Sequence, residues 1–219
     1  MKLEAIQAAV MAANSSLNKH YWTVFSIAYG LQTKTAFEFG AGTSSAVLLT
    51  ALDLTGGKLI SCELEPLDSL VARTPALREY TPSSNWTYWN ASSKEALERL
   101  TDEGFELVLH DGSHEAHEVE QDIAGILPRL KRFGVLLVHD VEQFQLGPQM
   151  RRGLLEGIRQ SGLQVSMTSL PYADGLAILR MESETGRGQI ARPWSGPLAR
   201  PTVPLELPWQ TAGRTSSTD

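Results

Sequence analysis

The chain has 219 residues, a formal net charge of −6, and a composition that is 42% hydrophobic and 20% charged. That suits one soluble globular domain. No apolar run approaches the roughly 20 residues that span a bilayer, no Lys/Arg cluster offers a phosphate-binding face, and the single cysteine, Cys62, closes no internal disulfide.

Met1-Lys2-Leu3-Glu4 carries no basic-then-apolar leader. The expectation is a cytoplasmic protein that meets small molecules rather than nucleic acid or membrane. Residues 1–182 alternate strand-like and helix-like segments and are read as one domain. Residues 183–219 are rich in Pro, Gly, Ser, Thr and Arg and are read as a C-terminal extension.

The segment Asn18-Lys19-His20-Tyr21-Trp22 opens an amphipathic stretch. It is expected to pack Trp22, Phe25, Ile27 and Leu31 onto the sheet. Short apolar runs then predict strands at 35–40, 58–64, 86–90, 105–111 and 134–141, and two more at 163–170 and 176–181. Helices are predicted over 44–54, 66–80, 92–100, 113–130 and 148–160. Ser92, with Glu95 three residues on, makes a capping box. Near-continuous apolar strands separated by helices imply a parallel sheet covered on both faces. Only residues 171–175 separate the last two strands. That is too short for a crossover helix, so those strands form an antiparallel hairpin.

The loop after the first strand reads Glu38-Phe39-Gly40-Ala41-Gly42-Thr43-Ser44-Ser45. Gly40 and Gly42 let backbone approach a ligand closely. A dinucleotide fingerprint would want glycine where Ser45 stands, and no P-loop follows. Glu38 would repel a pyrophosphate but attract an ammonium or sulfonium group. Glu63 ends the second strand, about where an open α/β sheet places an acid on ribose hydroxyls; Glu65 is the alternative. Leu64, and Ala91 and Ser92 after the third strand, flank the same region, although Ser92 already has a reason to exist as a cap.

The fourth strand ends His110-Asp111-Gly112-Ser113-His114, and the fifth ends Val138-His139-Asp140. Adjacent strands lie about 4.8 Å apart, so Asp111 and Asp140 can aim at one point. Two carboxylates there need something positive between them. A divalent cation is one candidate, magnesium, or manganese if His139 also binds. A sulfonium beside Asp111 is another. His114, expected in the first turn of the next helix, would be kept neutral by the helix end and act as a general base. His117 reads as a solvated helix residue. Alternation puts His110 on the face opposite Asp111.

The stretch FELVLHDGSHEAHEVEQDIAGILPRLKRFGVLLVHD, residues 105–140, resembles the small class I methyltransferases related to macrolide-sugar O-methyltransferases and cephalosporin-cluster enzymes. EFGAGTSS and CELEP resemble that family's cofactor motifs. The resemblance implies a Rossmann-like, seven-stranded, mostly parallel sheet with a terminal antiparallel hairpin. It implies S-adenosylmethionine, which carries both cationic groups, held by Glu38, Gly40, Ala41, Gly42, Ser45, Glu63, Leu64, Ala91, Ser92 and Asp111. It further implies a metal on Asp111, His139 and Asp140, with His114 as base toward a small sugar-like or natural-product hydroxyl. Two positions depart from the family pattern. His139 stands where metal-dependent members often have an acid, and Phe133 stands where glycine is usual. The alternatives are a metal-independent N- or O-methyltransferase and a non-catalytic cofactor-binding subunit. A nicotinamide oxidoreductase is disfavoured by Ser45 and by the hairpin.

In the extension, Pro193, Pro197, Pro201, Pro204 and Pro208 forbid a long helix or a central strand. Trp194, Leu198, Val203, Leu205, Leu207 and Trp209 are more apolar surface than a solvated tail needs. Residues 190–209 are therefore expected to dock as an extended arm, on the domain or on a second copy in a homo-oligomer.

Overall fold

The computed structural model describes residues 3–11, 16–81, 83–101 and 104–182. The C-terminal extension, and with it the docking arm, lies outside the described residues.

Two helices, α1 (Leu3–Met11) and α2 (Tyr21–Gly30), precede the sheet. Alternation then follows the predicted order. It runs β1 (Thr35–Phe39), α3 (Thr43–Thr55), β2 (Lys58–Glu63), α4 (Leu67–Arg73), β3 (Trp86–Asn90), α5 (Ser93–Arg99), β4 (Phe105–His110), α6 (Ala116–Ile126), β5 (Leu130–His139) and α7 (Gly147–Ser161). The hairpin strands β6 (Val165–Leu170) and β7 (Leu176–Met181) close it. One seven-stranded sheet results, ordered β3-β2-β1-β4-β5-β7-β6. The first five strands pair in parallel, and β7 pairs antiparallel with both β5 and β6. This is the Rossmann-like class I methyltransferase fold.

Strand alternation sorts the core into two layers. Ala36, Leu107, Leu109, Val135 and Leu137 face the layer that holds α1, α2 and α3. Phe37, Phe39, Val108, Leu136 and Val138 face α5, α6 and α7. Helix α3 is buried almost along its whole length, from Ser44 to Leu52. It therefore carries little polarity beyond the serines at its start.

Several boundaries differ from the sequence reading, each for a local reason. The 66–80 segment is a short helix followed by a 3-10 turn over Pro75–Tyr80, broken where Pro75 follows Thr74. Helix α6 starts at Ala116 and ends in a 3-10 turn at Leu127–Arg129, because Pro128 interrupts the ladder. His114 accordingly precedes the helix instead of sitting in its first turn. Strand β5 begins at Leu130, before the Lys131-Arg132-Phe133-Gly134 segment. Phe133 adopts φ +64° there, the left-handed conformation glycine would favour. Its ring lies under the guanidinium groups of Arg132 and Arg180, at 4.7 and 5.1 Å. Cation–π contact offsets part of that strain. The early amphipathic stretch turns a different face inward. Leu17, Tyr21, Val24 and Ala28 are buried, while Trp22 and Leu31 are 38% exposed.

Candidate active site

The carboxyl ends of β1, β2, β4 and β5 meet at one edge of the sheet, where ligands bind in open α/β folds. At β1, Gly40 adopts φ +83°. A Cβ there would lie 2.3 Å from the Asp111 carbonyl oxygen. Only glycine lets the β1–α3 loop come this close to the end of β4.

Glu38 lies beneath that loop with no exposed surface. Its Oε1 accepts from Ser44 Oγ at 2.6 Å, and its Oε2 accepts from Ser45 Oγ at 2.5 Å and Ser61 Oγ at 3.0 Å. Burial pushes its carboxyl up to about 7, against the pull of the three hydroxyls. Ser45 Oγ also accepts from the backbone N–H of Gly42, at 3.1 Å. Glu38 and Ser45, two of the expected cofactor residues, are buried and hydrogen-bonded to each other. Ala41 is 5% exposed. These residues shape the loop, and Gly42, whose Cβ direction is open, is the part of it that faces free space.

Glu63, Leu64, Ala91, Ser92 and Asp111 do converge. They line one cavity of about 590 Å3, together with Gly112 and Ser113. Glu63 Oε1 accepts from the backbone of Leu64 at 2.7 Å and of Glu65 at 3.4 Å. Glu65 instead pairs with Arg73, which favours Glu63 as the ligand-facing acid. Ser92 and Glu95 form the reciprocal capping box.

On the other side of Asp111 stands a cluster of four titratable side chains. Asp140 follows β5 in the left-handed region, φ +62°, which Asp tolerates better than most residues. His139 Nδ1 donates to Asp111 Oδ1 at 3.0 Å and lies 3.2 Å from Asp140 Oδ1. Its Nε2 donates to the Ala173 carbonyl at 3.3 Å. Both ring nitrogens donate, so the ring is an imidazolium. Burial disfavours that charge, but hydrogen bonds and charge from both carboxylates overcome it and push the His139 pKa up to about 10. An imidazolium of the chain thus stands between the two carboxylates. Burial raises the Asp140 carboxyl, but its bonds to His114 and His139 outweigh that and hold it well below the usual range.

His114 Nε2 lies 2.6 Å from Asp140 Oδ2. That hydrogen bond raises the His114 pKa against partial burial. The expectation of an imidazole kept neutral by a helix end is corrected, since His114 precedes the helix and its nearest partner is an anion. His110 behaves as alternation predicts, fully buried with Nε2 3.1 Å from Asp122 Oδ2. His117 is exposed, bonded to Gln121.

Four residues that the sequence reading did not assign to the site stand beside it. Tyr21 is buried, hydrogen-bonds Thr43 beside Gly42, and has its phenol pushed up to about 12 by that burial. His20 Nε2 donates to the carbonyls of Tyr172 and Ala173 at 3.0 and 3.2 Å. Gln121 and Asp122 of α6 line the cavity. Asp122 had a signal, being an acid on the same helical stripe as Val119, Ile123 and Ile126.

Residues 37–141 match the profile of a family described as a methyltransferase domain. This stretch is similar to that family, and the chain carries the class I fold. Solved structures share its shape at low identity. Cofactor-bound Rv0187 from MTB superposes with a TM-score of 0.62 and 19% identity, over 83% of this chain and 90% of that one. The O-methyltransferase TomG from Streptomyces achromogenes, involved in tomaymycin synthesis and solved with SAM, gives 0.62 and 17%, over 84% and 92%. The SAH-bound Podospora anserina methyltransferase PaMTH1 gives 0.58 and 17%, over 81% and 82%. No curated protein matches the chain.

The buried acid beneath the loop yields a prediction. Glu38→Ala leaves three inward-facing serine hydroxyls without an acceptor. Each unmade buried bond costs on the order of 1 kcal/mol or more. Urea denaturation is expected to show a loss of about 3 kcal/mol.

Proposed function

We propose that the chain transfers the methyl group of S-adenosylmethionine to the hydroxyl of a small acceptor. The observation that carries the reading is the junction at Asp111. On one side lies the cavity with Glu63, and on the other stands the His114–Asp140 pair. A ribose diol suits the Glu63 carboxylate. Gly42 and the loop above Glu38 present backbone to the amino-acid end of the cofactor. The electrophilic methyl that S-adenosylmethionine supplies would then face Asp111 and His114.

His114 suits the role of base. Asp140 holds its Nε2, so Nδ1, which makes no hydrogen bond among the described residues, is left to accept the proton of the acceptor hydroxyl. A base oriented by a carboxylate is the recurring arrangement for activating a hydroxyl. The raised pKa makes His114 a stronger base once deprotonated. The remaining contribution is alignment of oxygen, methyl carbon and sulfur.

A metal fits the same place. Asp111, His139 and Asp140 offer donor atoms within 4.8 Å of one another. Two oxygens and one imidazole nitrogen suit magnesium or manganese, and Ala173 already fixes the second ring nitrogen of His139. When bound, such an ion would polarise the acceptor hydroxyl. A metal-independent reading draws on the same geometry, because the His139 imidazolium already satisfies both carboxylates. No helix among the described residues is long and apolar enough to cross a membrane, in keeping with a cytoplasmic enzyme and a small soluble acceptor. We take residues 1–182 as the catalytic domain.

Three measurements test this. Titration with S-adenosylhomocysteine is expected to give saturable heat, and Glu63→Ala to weaken binding about 10- to 100-fold, as for a charge-assisted hydrogen bond. No heat at millimolar ligand overturns the reading. With an acceptor found by screening hydroxylated small molecules, His114→Ala is expected to cut turnover about 100-fold or more while leaving S-adenosylhomocysteine affinity in place. Electron paramagnetic resonance with manganese alone decides the third point. A bound signal in the wild type that disappears in Asp140→Asn supports the metal, and a wild type that leaves manganese free supports the imidazolium-bridged form.

A further inference from the structure

Glu38 has no exposed surface and no cation beside it among the described residues. A buried acid is costly in such a place, yet its surroundings are arranged for the ionised form. Oε2 accepts from Ser45 Oγ and from Ser61 Oγ. Neither hydroxyl can turn away. Ser45 Oγ accepts from the Gly42 N–H at 3.1 Å, and Ser61 Oγ accepts from Trp86 Nε1 at 3.1 Å. Each hydroxyl proton is thereby committed to Glu38. Oε1 meets only Ser44 Oγ, which makes no other hydrogen bond among the described residues. A proton taken up by the carboxyl therefore goes to Oε1, and Ser44 turns from donor to acceptor.

The other titratable groups that face this carboxyl are Tyr21 on α2, Cys62 on β2 and Asp111 at the end of β4. Burial pushes the phenol and the thiol each up to about 12, so both are neutral at neutral pH. Asp111 adds only negative charge. Burial and that charge hold the Glu38 carboxyl at about 7, against the three hydroxyls. The acid is also joined to the loop. A chain of two hydrogen bonds runs from the Gly42 N–H through Ser45 Oγ to Glu38 Oε2, and the Cβ direction of Gly42 is open. A cation seated at that loop favours the carboxylate and expels its proton to solvent. S-adenosylmethionine is a sulfonium. On methyl transfer the electron pair of the C–S bond stays on sulfur and cancels that charge.

We propose that Glu38 is a proton-coupled positioning residue, ionised while S-adenosylmethionine occupies the loop and protonated again when S-adenosylhomocysteine is left. The inference rests on the cofactor reading above and goes beyond it. The loop tells substrate from spent product by one unit of charge, through an acid it covers. Because the sulfonium complex holds fewer protons than the thioether complex, the preference for S-adenosylmethionine over S-adenosylhomocysteine rises with pH.

The test begins with NMR of the wild-type protein, its glutamate carboxyl carbons isotopically labelled. One glutamate is expected to titrate at about 7 in the free protein. Saturating S-adenosylmethionine should lower that midpoint by about one pH unit, and S-adenosylhomocysteine by clearly less. Calorimetry with both ligands is the second measurement. The ratio of S-adenosylmethionine to S-adenosylhomocysteine affinity is expected to rise about 10-fold between about pH 5.5 and about pH 8. Glu38→Gln, uncharged throughout, should lose most of that rise. A wild type with no glutamate midpoint above about pH 6 overturns the proposal, as does a midpoint that both ligands move equally. Neither result depends on the variant folding. A folded Glu38→Gln that keeps the full rise also overturns it and assigns the response to His114 or Asp111. Binding of neither ligand instead overturns the cofactor reading itself, and this inference with it.

Discussion

Two carboxylates at the ends of neighbouring strands set the terms for this site. Asp111 and Asp140 come close because β4 and β5 are parallel and adjacent. Alone they would repel, and one would take up a proton. The imidazolium of His139, fixed between them by the carbonyl of Ala173, offsets that repulsion. That choice propagates outward. Asp140, held ionised by its two histidines, has an oxygen to spare for His114, and Asp111 lines the cavity on its other side. A cation at this junction is required by electrostatics, whether it is a proton on nitrogen or a metal ion.

Glu38 solves the opposite problem. It is an acid with no cation beside it among the described residues, buried under the β1–α3 loop. Three hydroxyls from two elements, α3 and β2, converge on it. The acid thereby ties the start of α3 to the neighbouring strand, and the geometry of Gly40 and Gly42 rests on that tie.

The parts of this molecule that were legible in the sequence are those governed by local rules. The strand and helix order, the hairpin forced by the five residues at 171–175, and the Ser92–Glu95 cap all follow from periodicity and short-range hydrogen bonding. The convergence of Glu63, Ala91, Ser92 and Asp111 followed from strand ends, because the end of a parallel strand has only one place to go. What was not legible depended on partners far apart in the chain. The protonation of His139 needs Asp111, Asp140 and a carbonyl from the distant hairpin together. The burial of Glu38 depends on Ser61, a residue of another strand. For His114 the helix-end argument was sound in principle but misplaced by two residues, and a contact at 2.6 Å with Asp140 outweighs it.

The β6–β7 turn ties the charged cluster at Asp111 and Asp140 to the fold. Ala173 and Asp174 both adopt positive φ, 49° and 62°, although neither is glycine. Such a turn persists only where its surroundings over-determine it. Here the Asp174 carbonyl accepts from the Glu142 N–H at 2.7 Å. The Ala173 carbonyl accepts from two histidines, His20 in the segment before α2 and His139 at the end of β5. The two rings lie 5.6 Å apart, and two imidazolium charges at that distance would repel. They divide the states between them. His139 faces carboxylates and holds its proton, whereas His20, buried and stacked 4.6 Å from Tyr172, faces carbonyls, and burial pulls its pKa down. One strained carbonyl thus joins the N-terminal segment, the terminal hairpin and the charged cluster. The hairpin that distinguishes this fold from a dinucleotide-binding sheet is, in this protein, also part of what orients the histidine between the two carboxylates.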